Sequence, residues 1–128
     1  MKDYKAYYSI PASPEEIFQA LTRAETIYLW SGEPAVMEAV PDTEFSLWDD
    51  SIVGRNISFE PGRKIVQQWY FGETDSEPSI VTIILHADKK GTSVELRHRN
   101  IPDDAYDNIV EGWNENYFGA LKDFYTGE

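Results

Sequence analysis

The chain has 128 residues, so it fits one domain over residues 1–128 and has no room for separate cofactor and substrate domains. Its 11 basic and 23 acidic residues give a net charge of −12, which would repel DNA, RNA and anionic membrane surfaces. It has no cysteine, which excludes disulfides, thiolate catalysis and iron–sulfur clusters, while 41% hydrophobic residues suffice for a core.

The first half of the chain predicts a strand followed by two short helices. Polar and apolar residues alternate over residues 1–10, which is typical of a strand. Ser13-Pro14-Glu15-Glu16 then predicts a helix start, with Ser13 as the capping residue and Glu16 completing a capping box. We expect this helix to end near Arg23 and a second short helix to cover residues 25–30.

The middle of the chain predicts a meander of antiparallel strands. Pro61 and Gly62 occupy the central positions of a type II turn, and residues 88–91 form a second turn. Residues 72–79 are expected to form an acidic loop. The predicted strands cover residues 44–48, 52–59, 64–71, 80–87 and 92–101.

The last 26 residues predict one long amphipathic helix that closes the fold. Asp103 or Asp104 is expected to cap its start, and the segment carries seven acidic residues and one basic residue. Because a curved sheet needs one apolar face covered, we predict an α+β helix-grip fold. The apolar stripe consists of Tyr106, Ile109, Val110, Trp113, Tyr117, Ala120, Leu121 and Phe124.

Neither histidine belongs to a recognisable catalytic or metal site. With the turn at residues 88–91, His86 faces Ser93 and His98 faces Val81, which separates the histidines by roughly 16 Å at about 3.3 Å per residue. That distance rules out a shared metal. No Gly-x-Ser-x-Gly nucleophile elbow is present, and no nucleotide-binding glycine motif occurs. We therefore expect no catalytic residue, no metal and no cofactor, which favours a protein that is not an enzyme.

Aromatic and polar residues on the inward strand faces are the candidates for a binding site. Trp30, Trp48, Trp69 and Trp113 lie on four different elements and could either form core or line a cavity. Asn56 is predicted to oppose Gln67, and His98 shares a face with Leu96. These polar groups must bond each other, bond water, or orient a ligand.

The outward face of the last strand carries charge of both signs. Arg97 and Arg99 lie on the face opposite His98, together with Glu95. The simplest interpretation is a solvated strand face, and docking of an acidic partner is the alternative.

Several motifs in order along the chain resemble a known family. Ile10 to Thr22, with the sequence IPASPEEIFQALT, is similar to the opening helix of the homologues of the activator of heat-shock protein 90 ATPase. This family lies within the START/birch-pollen-allergen (SRPBCC) superfamily of helix-grip proteins. Further matches are Trp30, Gly54 with residues 57–61, Trp69, Gly91-Thr92 with Val94, Leu96 and His98, and Gly112-Trp113 with Leu121. One departure is Pro41-Asp42-Thr43-Glu44, where family members usually have a Gly-Gly pair.

The resemblance implies a seven-stranded sheet wrapped on the C-terminal helix, with a cavity between them. We therefore expect binding of a small hydrophobic or amphipathic molecule. The alternatives are a co-chaperone-type module that contacts a heat-shock protein 90 class ATPase, and an enzyme like the polyketide cyclases and aromatases. We expect a cytoplasmic protein without a membrane span. The predicted ligand-binding residues are Trp48, Asn56, Gln67, Trp69, Leu96, His98, Trp113 and Tyr117.

Overall fold

The computed structural model describes residues 1–71 and 78–127, and these form a seven-stranded antiparallel sheet curved around a C-terminal helix. The α+β helix-grip prediction is confirmed. The spatial order is β1-β7-β6-β5-β4-β3-β2, so the chain returns to place its last strand beside its first. The strands are β1 (Lys2–Ile10), β2 (Ala35–Val36), β3 (Glu44–Leu47), β4 (Ile52–Glu60), β5 (Lys64–Trp69), β6 (Ser79–Asp88) and β7 (Gly91–Ile101).

Two short helices follow β1, as predicted. Helix α1 (Pro14–Thr22) begins with the capping box, in which the Ser13 hydroxyl accepts from the backbone N–H of Glu16. Helix α2 (Ala24–Ser31) ends where Gly32 adopts a φ of 77°, a conformation that glycine reaches without strain.

The β4–β5 hairpin reaches the predicted pairing of Asn56 with Gln67 by an unpredicted route. A four-residue turn over residues 60–63 would pair Glu60 with Arg63. The structure instead pairs Glu60 with Lys64, which shifts the register by one residue. A bulge at Ile57 then restores the register before Asn56. The two polar side chains therefore project into the interior side by side.

Strand β3 ends one residue earlier than predicted. Trp48 has a φ of 54° and begins a left-handed turn that continues through Asp49 and Asp50. Asp42 also has a positive φ, 65°, and its side chain is bonded to Arg55. The turn at 41–44 thus adopts at Asp42 a conformation that glycine reaches most easily.

The predicted acidic loop at residues 72–79 is wrong at its end, because Ser79 is the buried first residue of β6. Residues 72–77 of that prediction lie outside the described residues. The predicted aspartate cap of the last helix is also wrong. The Asp103 carboxylate instead bonds the Met1 amino group at 2.8 Å, and a 3₁₀ turn over Asp103–Ala105 opens the helix.

The C-terminal helix contains a wide turn that the sequence pattern does not reveal. Helix α3 (Tyr106–Gly112) leads into a π-helical turn (Trp113–Tyr117), followed by helix α4 (Phe118–Thr126). The N–H of Phe118 donates to the carbonyl of Trp113, five residues back. The turn accommodates one residue more than an α-helical turn and rotates all later positions.

This rotation corrects the predicted apolar stripe. Phe118 is buried although the regular spacing excluded it, and Tyr125 packs on the core. Phe124 was predicted to be on the stripe but is 43% exposed. The extra residue in the π turn explains both differences, because it moves the inward face by one position.

Helices of the described residues do not reach the length and hydrophobicity required to cross a membrane. Their apolar side chains pack in the core. Helix α1 contributes Ile17 and Leu21, and the α4 end of the C-terminal helix contributes Phe118 and Leu121, all of which are fully buried.

We predict that Gly119→Ala destabilises the protein and that Gly112→Ala does not. A Cβ on Gly119 would overlap the carbonyl oxygen of Asn114, so the π turn would have to distort. Overpacking of this kind costs about 1–3 kcal/mol. A Cβ on Gly112 meets nothing within 4 Å, and alanine should add about 0.5–1 kcal/mol of stability through helix propensity. Urea unfolding of the two variants checks this, and equal effects would contradict the π turn.

Candidate functional site

Trp30, Trp69, Trp113 and Tyr117 form an aromatic layer between the sheet and the C-terminal helix. Trp48 contacts this layer from the β3–β4 turn. Trp69 on β5 stacks on Trp113 with ring centroids 4.7 Å apart. Trp30 and Trp48 both approach Tyr117 edge-on, at 5.2 and 5.9 Å. The expectation that the tryptophans meet in one interior is confirmed, and the layer joins α2, the β3–β4 turn, β5 and the final helix.

His98 contacts Trp69 and Trp113 of this layer, and both of its ring nitrogens are bonded. The indole N–H of Trp113 donates to Nδ1 at 3.0 Å, and Nε2 lies 2.8 Å from the hydroxyl of Ser79. An indole N–H can only donate, so Nδ1 of the neutral ring must be unprotonated and Nε2 must carry the hydrogen. Nε2 therefore donates to Ser79, whose hydroxyl in turn donates to the carbonyl of Arg99 at 3.2 Å.

The Ser79–His98 pair was missed from the sequence, and it resembles a catalytic pair only in its residue types. Serine activation needs an unprotonated histidine nitrogen facing the hydroxyl, whereas here Nε2 carries the hydrogen. Burial also lowers the pKa of His98 from 6.5 to about 4, against a small opposing effect of the Asp3 carboxylate. The strand register contained the signal, because Ser79 is diagonal to His98 on the inward face of the neighbouring strand.

The second set of buried polar groups forms a chain of its own. The indole N–H of Trp69 donates to Gln67 Oε1 at 3.1 Å, and Gln67 Nε2 donates to Asn56 Oδ1 at 3.0 Å. Asn56 Nδ2 then donates to the Thr43 hydroxyl and to the carbonyl of Glu38, both at 3.1 Å. Of the alternatives left open by the sequence, bonding to each other accounts for these side chains.

A cleft of about 190 Å³ opens beside the aromatic layer, between the β3–β4 turn and the C-terminal helix. We call it the Trp48 cleft. Four of the eight predicted site residues line it, namely Trp48, Trp69, Trp113 and Tyr117, together with Ser51, Ile52, Asn108, Ile109, Gly112 and Asn116. The other four, Asn56, Gln67, Leu96 and His98, are buried in the core and do not line it. Ligand contacts at all eight stay predictions.

Trp48 differs from the other three tryptophans in its hydrogen bonding. The indole N–H groups of Trp30, Trp69 and Trp113 all donate to protein acceptors. Trp48 Nε1 is buried and has no partner within residues 1–71 and 78–127. Its backbone is also held at a φ of 54°, a conformation that costs a bulky residue of order 1–3 kcal/mol. An unpartnered donor and a strained backbone therefore meet at the cleft.

The outward face of β7 is only partly the solvated surface that was predicted. Arg97 and Arg99 are exposed, but Glu95 is 6% exposed. Its carboxylate accepts from His86 Nε2 at 2.9 Å and from Arg97 Nε at 2.6 Å. The hydrogen bond from His86, supported by Arg97, holds the pKa of Glu95 below its ordinary value despite burial. Within the described part of the chain no three metal-binding side chains cluster.

Comparison with known proteins places this arrangement in a family. The family model described as "Activator of Hsp90 ATPase homolog 1-like protein" matches residues 11–125. The activator of 90 kDa heat shock protein ATPase homolog 1 of Homo sapiens is 30% identical over 112 residues, which are 86% of this chain and 33% of that protein. The homologue of Dictyostelium discoideum is 28% identical over 127 residues, 98% of this chain and 33% of that protein. The chain spans about a third of the length of these relatives.

Solved structures agree with this assignment. The crystal structure of an HSP90 activator from Plasmodium falciparum is 26% identical and superposes with a TM-score of 0.85, covering 98% of this chain and 96% of that chain. The solution structure of the Aha1 dimer from Colwellia psychrerythraea is 20% identical, with a TM-score of 0.85 and the same coverages. The similarity to the Colwellia psychrerythraea structure shows that the two chains share a fold.

We predict that His98 makes the protein lose stability as pH falls from about 6.5 to about 4. In this range the unfolded chain binds a proton at His98 and the folded chain does not, so acid favours unfolding. The loss should approach about 3 kcal/mol and should stop near pH 4, below which both states are protonated. Unfolding free energies from urea titrations measure it.

The matched variants for this prediction are His98→Gln and His86→Gln. The first should remove this part of the pH dependence, and the second should retain it because His86 lies on the outer face, against Glu95, and does not contact His98. An unchanged slope in His98→Gln would contradict the assignment.

Proposed function

Because the chain belongs to the family of activator of Hsp90 ATPase homolog 1-like proteins, we propose that it is a protein-interaction module that binds an ATPase of the heat-shock protein 90 class. The relatives from Homo sapiens and Dictyostelium discoideum are named as activators of such an ATPase. The match extends over most of this chain but over only a third of those relatives, so the proposal is that this third takes part in the binding.

The observation that carries the proposal is the internal satisfaction of the buried polar groups. His98 bonds Trp113 and Ser79, and Gln67 bonds Trp69 and Asn56. A ligand inside the grip would have to break these bonds, each of which contributes roughly 0.5–1.5 kcal/mol and leaves a costly unpaired group when lost. This cost favours recognition by the outer surface.

We expect the purified chain to bind a purified heat-shock protein 90 class ATPase in isothermal titration calorimetry. A heat-shock protein 70 class ATPase serves as the control and should give no binding heat. ATP turnover of the first ATPase, measured with and without the chain, then shows whether binding also stimulates it. Equal binding to both ATPases, or binding to neither, would contradict the proposal.

A second candidate function, binding of a small amphipathic molecule, is favoured by Trp48. Its buried indole N–H has no acceptor within the described residues and borders the cleft. Leaving such a donor unpaired costs about 1–3 kcal/mol. An aromatic or alicyclic ligand with one carbonyl oxygen would fill the cleft and accept this bond.

We predict that such a carbonyl ligand shifts the indole N–H resonance of Trp48 in ¹H–¹⁵N spectra. The indole of Trp30 is the internal control, because it already donates to the carbonyl of Ala20 at 2.8 Å. Trp48→Phe should weaken the carbonyl ligand about threefold to tenfold and leave a hydrocarbon of the same shape unaffected. If a screen of cyclic ketones shifts neither Trp48 nor its neighbours in the cleft, this second function is wrong.

A further inference from the structure

The positive charge of this acidic chain is concentrated on the outer face of the sheet. Strand residues alternate between faces, and Leu96 and His98 point inward, so Arg97 and Arg99 point outward. By the same alternation Arg55 and Lys64 are outward, next to buried Asn56 and Ile65. Together with Lys5, which pairs with Arg97, these are five of the 11 basic residues of a chain with net charge −12.

The strand register places four of these five cations in two rows across the sheet. One row runs Lys5, Arg97, Thr82 and Val66, and the other runs Arg99, Ile80, Gln68 and Arg55. Directly opposed residues project on the same side, so each row is continuous. The middle of the face is β-branched, since Ile80, Thr82 and Val66 are all partly exposed there. The surface thus combines an apolar centre with basic ends.

A groove of about 330 Å³ lies in this face where β1 meets β7, which we call the basic groove. It is lined by Asp3, Tyr4, Lys5, Arg97, His98 and Arg99. It lies where the β1–β7 register shifts between Lys2 and Tyr4. The exposed side chains at its rim are those of Asp3, Lys5, Arg97 and Arg99, because His98 points into the core and Tyr4 is half-buried.

The carboxylates near the groove already have donors of their own. Glu95 accepts from Arg97 and His86, and Asp3 accepts from the backbone N–H of Asn100 at 3.0 Å. Lys5 and Arg99 make no ion pair with any residue in 1–71 or 78–127. Two exposed cations therefore border the groove without an ion-pair partner in the described chain, and the Nζ of Lys5 lies 5.5 Å from the centroid of the Tyr7 ring.

The C-terminal helix has the opposite charge. Its residues 103–127 contain six acidic residues and the single base Lys122. A long polyanion such as a nucleic acid would meet this field over most of its length, which disfavours it. A short acidic segment on a folded protein could contact the groove without contacting the helix. The opposite charges of the sheet face and the helix would then orient it.

We infer that the basic groove and the adjoining face of β6 and β7 form the surface that binds the chaperone ATPase, and that the ATPase contributes an acidic segment with apolar neighbours. This inference rests on the proposed function and adds the surface and the chemistry of the partner. One carboxylate of the partner enters the groove between Lys5 and Arg99, while its apolar neighbours cover Ile80 and Ile84.

The test compares two double variants with the same change in net charge. Lys5→Glu with Arg99→Glu reverses the groove, and Lys89→Glu with Lys90→Glu reverses the exposed turn between β6 and β7. That turn lies roughly 20 Å or more from the groove, seven residues or more along β7 at about 3.3 Å per residue. Calorimetric titration of the heat-shock protein 90 class ATPase with each variant gives the Kd, and thermal unfolding verifies that both variants fold.

We expect the groove variant to raise the Kd at least about tenfold and the turn variant to change it less than about twofold. Equal weakening by both variants would mean that only net charge matters and would overturn the inference. Unchanged binding by both would place the contact elsewhere, which overturns the inference and leaves the proposed function intact. A wild-type chain that binds no such ATPase overturns the proposed function itself.

Two other occupants are tested alongside. Sedimentation equilibrium reports whether the groove binds the acidic helix of a second copy, and a single-stranded oligonucleotide reports affinity for nucleic acid. Self-association lost in the groove variant alone, or oligonucleotide binding as tight as that of the ATPase, would overturn the assignment of an acidic protein partner.

Discussion

The hydrogen bond from the Trp113 indole to Nδ1 of His98 is the interaction on which the interior of this protein depends. It joins the final helix to β7, and it fixes the histidine tautomer because an indole N–H can only donate. The fixed tautomer makes Nε2 a donor to Ser79, the first residue of β6. The same indole ring stacks on Trp69, whose own N–H begins the chain through Gln67 to Asn56. One contact thus connects the polar groups on four neighbouring strands, β4 to β7.

The π turn makes this contact compatible with a filled core. A regular α-helix that places Trp113 and Tyr117 inward would turn Phe118 away, whereas here all three are buried. Phe118 stacks on Tyr8 of β1 with ring centroids 4.6 Å apart, so the wide turn also reaches the edge of the sheet. The extra ring fills space that a ligand would need. A small cleft lies at Trp48, where the left-handed β3–β4 turn keeps one indole N–H buried and unbonded within the described residues.

A largely filled interior favours the proposed recognition by the surface, and the charges on that surface are not uniform. The outer face of the sheet carries unpaired cations within the described chain, while the final helix is acidic. The two faces therefore present opposite fields to an approaching protein. We propose the class of partner on the basis of family membership. The opposite charges of the sheet face and the final helix would orient that partner. The Trp48 cleft offers a separate route to small-molecule binding, and it depends on a different part of the molecule.

Local and short-range patterns were sufficient to predict much of this protein. Alternation in β6 and β7 and the turn at residues 88–91 gave the pairing of His98 with Val81, and Ser13 and Glu16 gave the start of α1. The resemblance in ordered motifs gave the helix grip, and the spread of four tryptophans indicated a shared aromatic interior. Register follows from side-chain alternation and turn length, which are local properties of the chain.

Other features were decided only when distant elements packed together. The spacing of apolar residues does not predict the π turn. Phe118 is buried because there is space for its ring between β1 and the helix. The apolar stripe therefore ends on Tyr125 instead of Phe124. The bond between Ser79 and His98 required the exact start of β6, which turn signals placed too late. The sequence left open whether Asn56, Gln67 and His98 bond a ligand or other side chains. The answer depended on side-chain distances between strands and on the position of the Trp113 indole. Hydrogen bonds are satisfied over about 3 Å, a precision that tertiary packing supplies and sequence periodicity does not.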